Sequence, residues 1–431
     1  MTGTTRLVLV VLSVTLFALA TSLPQVAASI ERTANEPGFS FTVSPAQLIV
    51  GGSAAGPTCA TFALCPSMLT NAYGFSGLPT NATGHGQTVV IVDACGDPTI
   101  KADLKAFDKQ FLLPAPPNLT VIDPQGTPCT DGNWAVETAL DVEWAHVTAP
   151  GASIDLLQAA VPSPADMYGA WNYTIGHHLG LQISNSWGGS GCYSRPACNG
   201  TIGQGIGLCN STAGALGVDV SAVLTKAAHA GITVLAAAGD SGAWGLGSSN
   251  ATVPIPADCP GALTVGGTTL KVNSTGHFLG ETAWSGSGGG YVNRPEPSYQ
   301  RSVKIRDSYH SLGKPDVAAD ANPSTGVWIY EGGWGTVGGT SVACPLWAGF
   351  MADVNEIRAA NHLGPAGFVN EFLYNTIYGV NGTSSLYAAD FHDITSGNNG
   401  WAAHAGWDAD SGLGSFRVPS LANTLGTNST A

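Results

Sequence analysis

The sequence predicts an α/β fold in three layers, a mainly parallel sheet with helices on both faces. Three observations carry this expectation. Short β-rich runs alternate with helix-length segments along most of the chain. The runs are apolar throughout, as strands buried on both faces are. No linker, low-complexity block or internal repeat interrupts the alternation after about residue 58.

The elements follow in order. Val89-Val-Ile-Val-Asp93 reads as a buried strand, and a helix follows near Ile100–Phe111. Asn133–His146 reads as a helix and Ser153–Leu157 as a strand. A helix near Pro164–Leu179 precedes a strand at Gly180–Ser184. Val218–Ala230 is expected to be helical, Ile232–Ala237 and Gly261–Val265 to be strands, and Pro345–Ala359 to be a further helix. Residues 59–420 form the main domain on this reading. Residues 29–58 read as a loop-like N-terminal arm and 421–431 as a tail. Ligands of such folds bind beyond the carboxyl ends of the strands, where the candidate residues below gather.

Only 10% of the 431 residues are charged, and 29 acidic against 15 basic residues give a formal charge of −14. That balance argues against nucleic acid and anionic membranes as partners. A hydrophobic content of 44% excludes a disordered chain. After the first thirty residues no apolar stretch is long enough to span a bilayer. Those thirty have a basic start, an apolar run from Leu7 to Ala20, and small residues at Ala27-Ala28-Ser29. Residues 1–28 therefore read as a signal peptide, with an uncleaved anchor helix as the alternative.

Export agrees with nine Asn-x-Ser/Thr sequons, at Asn81, Asn118, Asn172, Asn199, Asn210, Asn250, Asn273, Asn381 and Asn428. A secreted, extracellular glycoprotein is expected. Nine cysteines suit an oxidising compartment. Cys59 with Cys65, and Cys192 with Cys198, are close enough for short-loop disulfides, although spacing leaves connectivity open. The odd count leaves one thiol over. Cys344 lies in an apolar run and reads as a small buried hydrophobe.

Gly338-Gly-Thr-Ser341-Val-Ala-Cys-Pro345 leads into an apolar helix. A serine there has free backbone N–H groups beside it that can hold a developing oxyanion. The competing role is an N-cap. Gly-Thr-Ser-x-x-x-Pro is the serine motif of the subtilisin-like clan, but no His-Gly-Thr-His segment supplies an imidazole. His85, His146, His177 and His178 lack that setting. If Ser341 is a nucleophile, its base is another residue type.

Glu137 and Asp141 are four apart in a predicted helix, so both carboxyls share one face. Like charges at that spacing repel, and sharing a proton relieves the repulsion. The alternative is a solvated acidic face. Against it, the segment is mostly apolar or small and has no Lys or Arg.

Glu-x-x-x-Asp followed by Ala145-His-Val-Thr-Ala-Pro150-Gly-Ala, together with Gly-Thr-Ser341, resembles the sedolisin family of serine-carboxyl peptidases. Further segments occur in that family's order. They are Ser184-Asn-Ser-Trp187-Gly188, Ala238-Gly-Asp240-Ser-Gly, Pro256-Ala-Asp-Cys-Pro260, Thr264-Val-Gly-Gly-Thr268, Trp284-Ser-Gly-Ser-Gly-Gly-Gly290 and Pro315-Asp-Val-Ala-Ala319. The resemblance runs from about residue 68 to about residue 417 and implies a subtilisin-like fold.

It also implies roles. Ser341 would be the nucleophile, Glu137 the general base and acid, Asp141 its orienter, and Asp240 an oxyanion-hole acid. Asp93 and Trp187 would support the pair, the alternative being a strand-end acid and a packing tryptophan. At acid pH a carboxylate accepts a proton where an imidazole is already charged, so an acid-active endopeptidase of proteins or peptides is expected. Action as a tripeptidyl-aminopeptidase is left open. Phe391-His-Asp393-Ile394 and Ala405-Gly406-Trp-Asp408-Ala-Asp410 resemble the family's calcium segments. One structural Ca²⁺ would be held by the carboxylates of Asp393 and Asp408 and the carbonyls of Ile394 and Gly406. His404 stands where that family usually has Gly.

The chain departs from the family in having only a few dozen residues where a long prodomain is usual, and in Gly339 where Ser is common. A monomer without nucleic-acid partners or membrane insertion is expected. The alternatives are a catalytically silent surface or binding protein on the same fold, and a glycosidase using Glu137 and Asp141.

Overall fold

The computed structural model describes residues 40–45, 48–53, 56–192, 219–243, 253–305 and 310–428. Among them a ten-stranded sheet forms the middle layer. Its strands in chain order are β1 (Thr88–Ala94), β2 (Leu119–Ile122), β3 (Ser153–Ala159), β4 (Gln182–Ser184), β5 (Thr233–Ala237), β6 (Leu263–Val272), β7 (Phe278–Ala283), β8 (Val317–Asp320), β9 (Phe391–His392) and β10 (Ser415–Phe416). The spatial order is β9-β10-β8-β6-β5-β4-β1-β3-β2, and β7 pairs with β6. The run from β10 to β2 is parallel; β7 and β9 pair antiparallel.

Both faces of the sheet are covered, which is why its strands are apolar at successive positions. Val89 and Ile91 of β1 join the apolar cluster that includes α1 (Pro66–Tyr73), α2 (Ile100–Phe111), α3 (Gly132–Thr148) and, further along, the long helix bearing Ser341. Val90 and Val92 join the opposite cluster, with α4 (Pro164–His177) and α5 (Val220–His229). A short α6 (Ser298–Val303) follows, and α7 (Thr340–Ala360) begins at the serine motif.

Two helices decide the site. Thirteen of the seventeen residues of α3 are buried, so it is enclosed on all sides and carries its carboxyls inward. Its N-cap Asp131 accepts from the backbone of Asn133 and Trp134. The Cys95–Cys129 disulfide ties the end of β1 to the chain just before α3. Helix α7 presses against α3 at Gly349, where a Cβ would lie 2.0 Å from Thr148 Oγ1 and 2.8 Å from the Ala145 carbonyl. Only glycine permits that approach.

The sequence expectation for α7 began at Pro345, whereas the helix starts at Thr340 and Pro345 lies inside it. Proline has no N–H for the carbonyl four residues back, which is that of Ser341. The stretch 29–58, expected to be loop-like, contains two strands. Ser40–Pro45 pairs antiparallel with Trp187–Cys192, and Leu48–Ser53 pairs antiparallel with Trp334–Gly338. Their backbone groups find partners on two strands of the main domain, a long-range pairing that local sequence does not signal. Cys59 bonds Cys65, and Cys344 is free and buried, as expected; Cys198 lies outside the described residues.

Candidate active site

The carboxyl ends of β1, β4 and β5, with the buried faces of α3 and α7, bring the candidate residues together. Ser341 is the second residue of α7, after N-cap Gly339, whose φ of +123° favours glycine. Ser341 is fully buried and is not the N-cap. Its hydroxyl donates to the Ser186 carbonyl at 3.3 Å. The Ser186 hydroxyl donates back to the Ser341 carbonyl at 3.5 Å, the group that Pro345 leaves without its helical donor.

Glu137 and Asp141 lie on successive turns of α3, both fully buried. Burial pushes the Glu137 carboxyl well above its ordinary range, and the charges of Asp141, Asp93 and Asp240 add to the rise. The nearby Ser341 hydroxyl opposes it by favouring the charged form. Neither Glu137 oxygen receives a hydrogen bond of full geometry. Asp141 is raised by burial and by Asp93, and the Ser186 hydroxyl again favours its charge. Asp93, at the end of β1, is pushed up to about 7 by burial, against the Thr138 hydroxyl and with the Asp97 charge.

Asp240 follows β5. Its Oδ1 accepts from Thr340 N at 2.7 Å and Thr340 Oγ1 at 2.8 Å. Its Oδ2 is buried with no partner. Burial raises this carboxyl to about 7 against the two Thr340 bonds. Oδ1 is saturated by donors, so the proton belongs on Oδ2. A protonated Asp240 therefore has one O–H available to an incoming oxygen. Four carboxyls thus lie in one cluster without a Lys or Arg among the groups that perturb them.

Trp187 is buried against Tyr168 and Trp171, and its indole N–H donates to the Val92 carbonyl at 2.9 Å. It braces β1 one residue before Asp93 and does not bond the carboxyls directly. His146 lies on α3, but its ring faces Pro114 at 2.7 Å and Asp108 at 3.3 Å. Ser186 and Thr340 escaped sequence reasoning although both lie inside quoted motifs. Small hydroxyl residues beside a named serine carry no signal of their own.

Near the C-terminus two of the calcium candidates, Asp393 and Gly406, are joined by hydrogen bonds. Both Asp393 oxygens accept from Gly406 N, at 3.2 and 3.1 Å, and Asp408 Oδ2 accepts from His404 N at 3.0 Å. The charges of Asp393 and Asp408 both act on the Tyr387 hydroxyl. Gly406 has φ +80°, and a Cβ there would meet Tyr378 Oη at 2.8 Å. His404 keeps a negative φ, so glycine is not required at that place. Among the described residues no group of three or more His, Cys, Asp or Glu side chains is arranged around a common centre. Asp408 Oδ1 also accepts from the backbone of Asp410 and Ser411 and from the Ser411 hydroxyl. Two carboxylates with main-chain carbonyls are donors of the type a hard cation takes.

The family model described as the Subtilase family matches residues 147–407. Kumamolisin of Bacillus sp. (strain MN-32) is 33% identical over 392 residues, covering 84% of this chain and 62% of that protein. Sedolisin of Pseudomonas sp. (strain 101) is 32% identical over 252 residues, covering 53% and 41%. Tripeptidyl-peptidase 1 of Homo sapiens is 31% identical over 243 residues, covering 48% and 39%. The solved structure of Pseudomonas sedolisin, a serine-carboxyl proteinase complexed with pseudo-iodotyrostatin, superimposes with a TM-score of 0.69 at 25% identity, covering 86% of this chain and all of that one. The chain spans about three fifths or less of the length of these protein relatives. On these matches the chain belongs to the subtilase family and, within it, to the sedolisins.

Proposed function

We propose that the protein is an acid-active serine-carboxyl peptidase that cleaves peptide bonds through an acyl-enzyme on Ser341. Charged Glu137 takes the Ser341 proton as Oγ attacks the carbonyl carbon. Protonated Asp240 donates from Oδ2 to the developing oxyanion. Glu137 then returns its proton to the leaving amine, and water repeats the sequence to free the acid. Asp141 and Asp93 share protons with Glu137, so its ionisation belongs to the group. The observation that carries the reading is the burial of Glu137 beside the Ser341 hydroxyl in a cluster of acids with raised pKa values.

Acid activity follows from the same cluster. Asp240 is protonated only below about pH 7, and a buried carboxylate works as a base where imidazole is charged. Export is supported by the exposed sequon asparagines Asn81, Asn118, Asn172 and Asn381, which would carry sugar. Asp393, Asp408 and the carbonyls of Ile394 and Gly406 would hold Ca²⁺, which would fix the C-terminal loops and take no part in the chemistry. The test is hydrolysis of a denatured protein between about pH 4 and 7, above the ordinary carboxyl range because burial raises the base and below the point at which Asp240 ionises. Ser341→Ala and Glu137→Gln, folded as the parent is, are expected to abolish it. Activity that survives in both would refute the assignment.

A further inference from the structure

Two residues past Asp93 the chain turns in a conformation that only glycine adopts freely: Cys95 has φ +61°. This cysteine is buried, and its disulfide to Cys129 spans a sequence separation of 34. Cys129 stands two residues before Asp131, the N-cap of α3, and eight before Glu137. Backbone bonds stitch the same place. Cys95 N donates to the Ala159 carbonyl at 2.9 Å, Gly96 N to the Cys129 carbonyl at 2.7 Å, and Cys129 N to the Ala160 carbonyl at 2.8 Å. The outer side of the turn is not filled: a cavity of about 400 Å³ opens there, its walls including Gly96, Asp97, Pro128, Cys129 and Gln158. What the turn aligns is the acid cluster. The Thr138 hydroxyl of α3 favours the charged form of Asp93, and the charge of Asp93 acts on both Glu137 and Asp141.

We infer that Cys95 and Cys129 are positioning residues for the acid cluster: their bond holds the end of β1 against the start of α3, keeps Asp93 beside Glu137 and Asp141, and sustains the left-handed turn at Cys95. The inference rests on the peptidase reading above for its effect on rate, and adds two residues that act through Asp93 and Glu137. With the bond cut and a Cβ still present at residue 95, the turn relaxes toward negative φ, and the cavity gives it room. Asp93, two residues earlier, moves with it, and a misplacement of about 1 Å at a reacting site costs rate. Glycine at residue 95 holds the left-handed turn without steric cost, so it should replace the local effect of the bond. A disulfide that acted only by restricting the unfolded chain would behave differently. Its loss would lower stability equally at every pH and leave the site alone.

Three proteins test this: the parent, the pair Cys95→Ala with Cys129→Ala, and the pair Cys95→Gly with Cys129→Ala. The alanine pair is expected to lose at least about tenfold in kcat/KM. The acid limb of its pH profile should move to lower pH, because the Asp93 charge then adds less to the rise of Glu137. The glycine pair should recover most of the rate and the parent's profile. An alanine pair with the parent's rate and profile, or a glycine pair no better than the alanine pair, overturns the inference. The second measurement needs no turnover. In denaturant titrations the parent's excess stability at about pH 4 over about pH 7.5 should shrink in the alanine pair and return in the glycine pair, since Asp93 carries part of it. Equal losses at both pH values overturn the positioning role. If the alanine pair does not fold, the glycine pair is expected to, and failure of both overturns the inference likewise. If none of the three cleaves peptide while the stability difference shrinks and returns, the peptidase reading fails and the positioning stands.

Discussion

Ser341 and Ser186 hold each other through two reciprocal bonds: the Ser341 hydroxyl donates to the Ser186 carbonyl, and the Ser186 hydroxyl donates to the Ser341 carbonyl. The second bond exists because Pro345 cannot supply the helical N–H. A residue that would ordinarily weaken a helix thus frees a carbonyl that locks the serine to the end of β4. The same Ser186 hydroxyl favours the charged form of Asp141.

Ser186→Ala is therefore expected to lower kcat/KM by about tenfold, the worth of one hydrogen bond in a buried site. The pH at which activity rises should move upward, since Asp141 loses a group that favours its charge. Rate measurements across pH, with thermal melting to confirm the fold, check this. An unchanged pH profile would separate Ser186 from the acid cluster.

Asp240→Asn and Asp240→Ala should part company. Thr340 donates twice to Oδ1, so the amide oxygen of Asn belongs there and its NH₂ takes the place of Oδ2. Asn then keeps a donor that never ionises. Activity should persist and extend above pH 7, where Asp240 itself deprotonates. Alanine removes the donor and should cost about 10²–10³ in kcat. Equal losses in both variants would remove Asp240 from the oxyanion role.

The buried acids make stability depend on pH in a stated direction. Asp93 rises from 3.8 to about 7 on folding. A raised carboxyl pKa means that the folded state holds the proton more tightly. Its contribution is fully present below about pH 4 and is lost as pH climbs through about 7, on the order of 4 kcal/mol for this one group. Denaturant titrations should find the protein more stable at pH 4 than at pH 7.5, with the difference reduced in Asp93→Asn. Greater stability at the higher pH would contradict the buried-acid account.

For the C-terminal loops, calorimetry is expected to record Ca²⁺ binding that Asp408→Asn abolishes. Chelation should lower the melting temperature of the parent and leave that of the variant unmoved. A parent indifferent to chelator and to added calcium would exclude the ion.

Much of this was legible in the sequence because the chemistry depends on local spacing. The Glu137/Asp141 pair needs only a helix to share a face, and the apolar run from Val89 announces a strand buried on both sides. The start of α7 was misplaced because Pro345 reads as a helix beginning, while its lost hydrogen bond is replaced by Ser186 from the distant segment after β4. The pairings of Ser40–Pro45 and Leu48–Ser53 were illegible for a similar reason. Edge strands are specified by their partners, more than a hundred residues away, and not by their own residues.

The pH dependence of kcat/KM, measured from about pH 2 to 9 for the parent and for Glu137→Gln, tests the central claim most directly. The account predicts a maximum on the acid side of neutrality in the parent and no measurable turnover in the variant at any pH. A parent most active above pH 8, or a variant close to the parent in rate, would mean that Ser341 is activated by some group other than the buried Glu137.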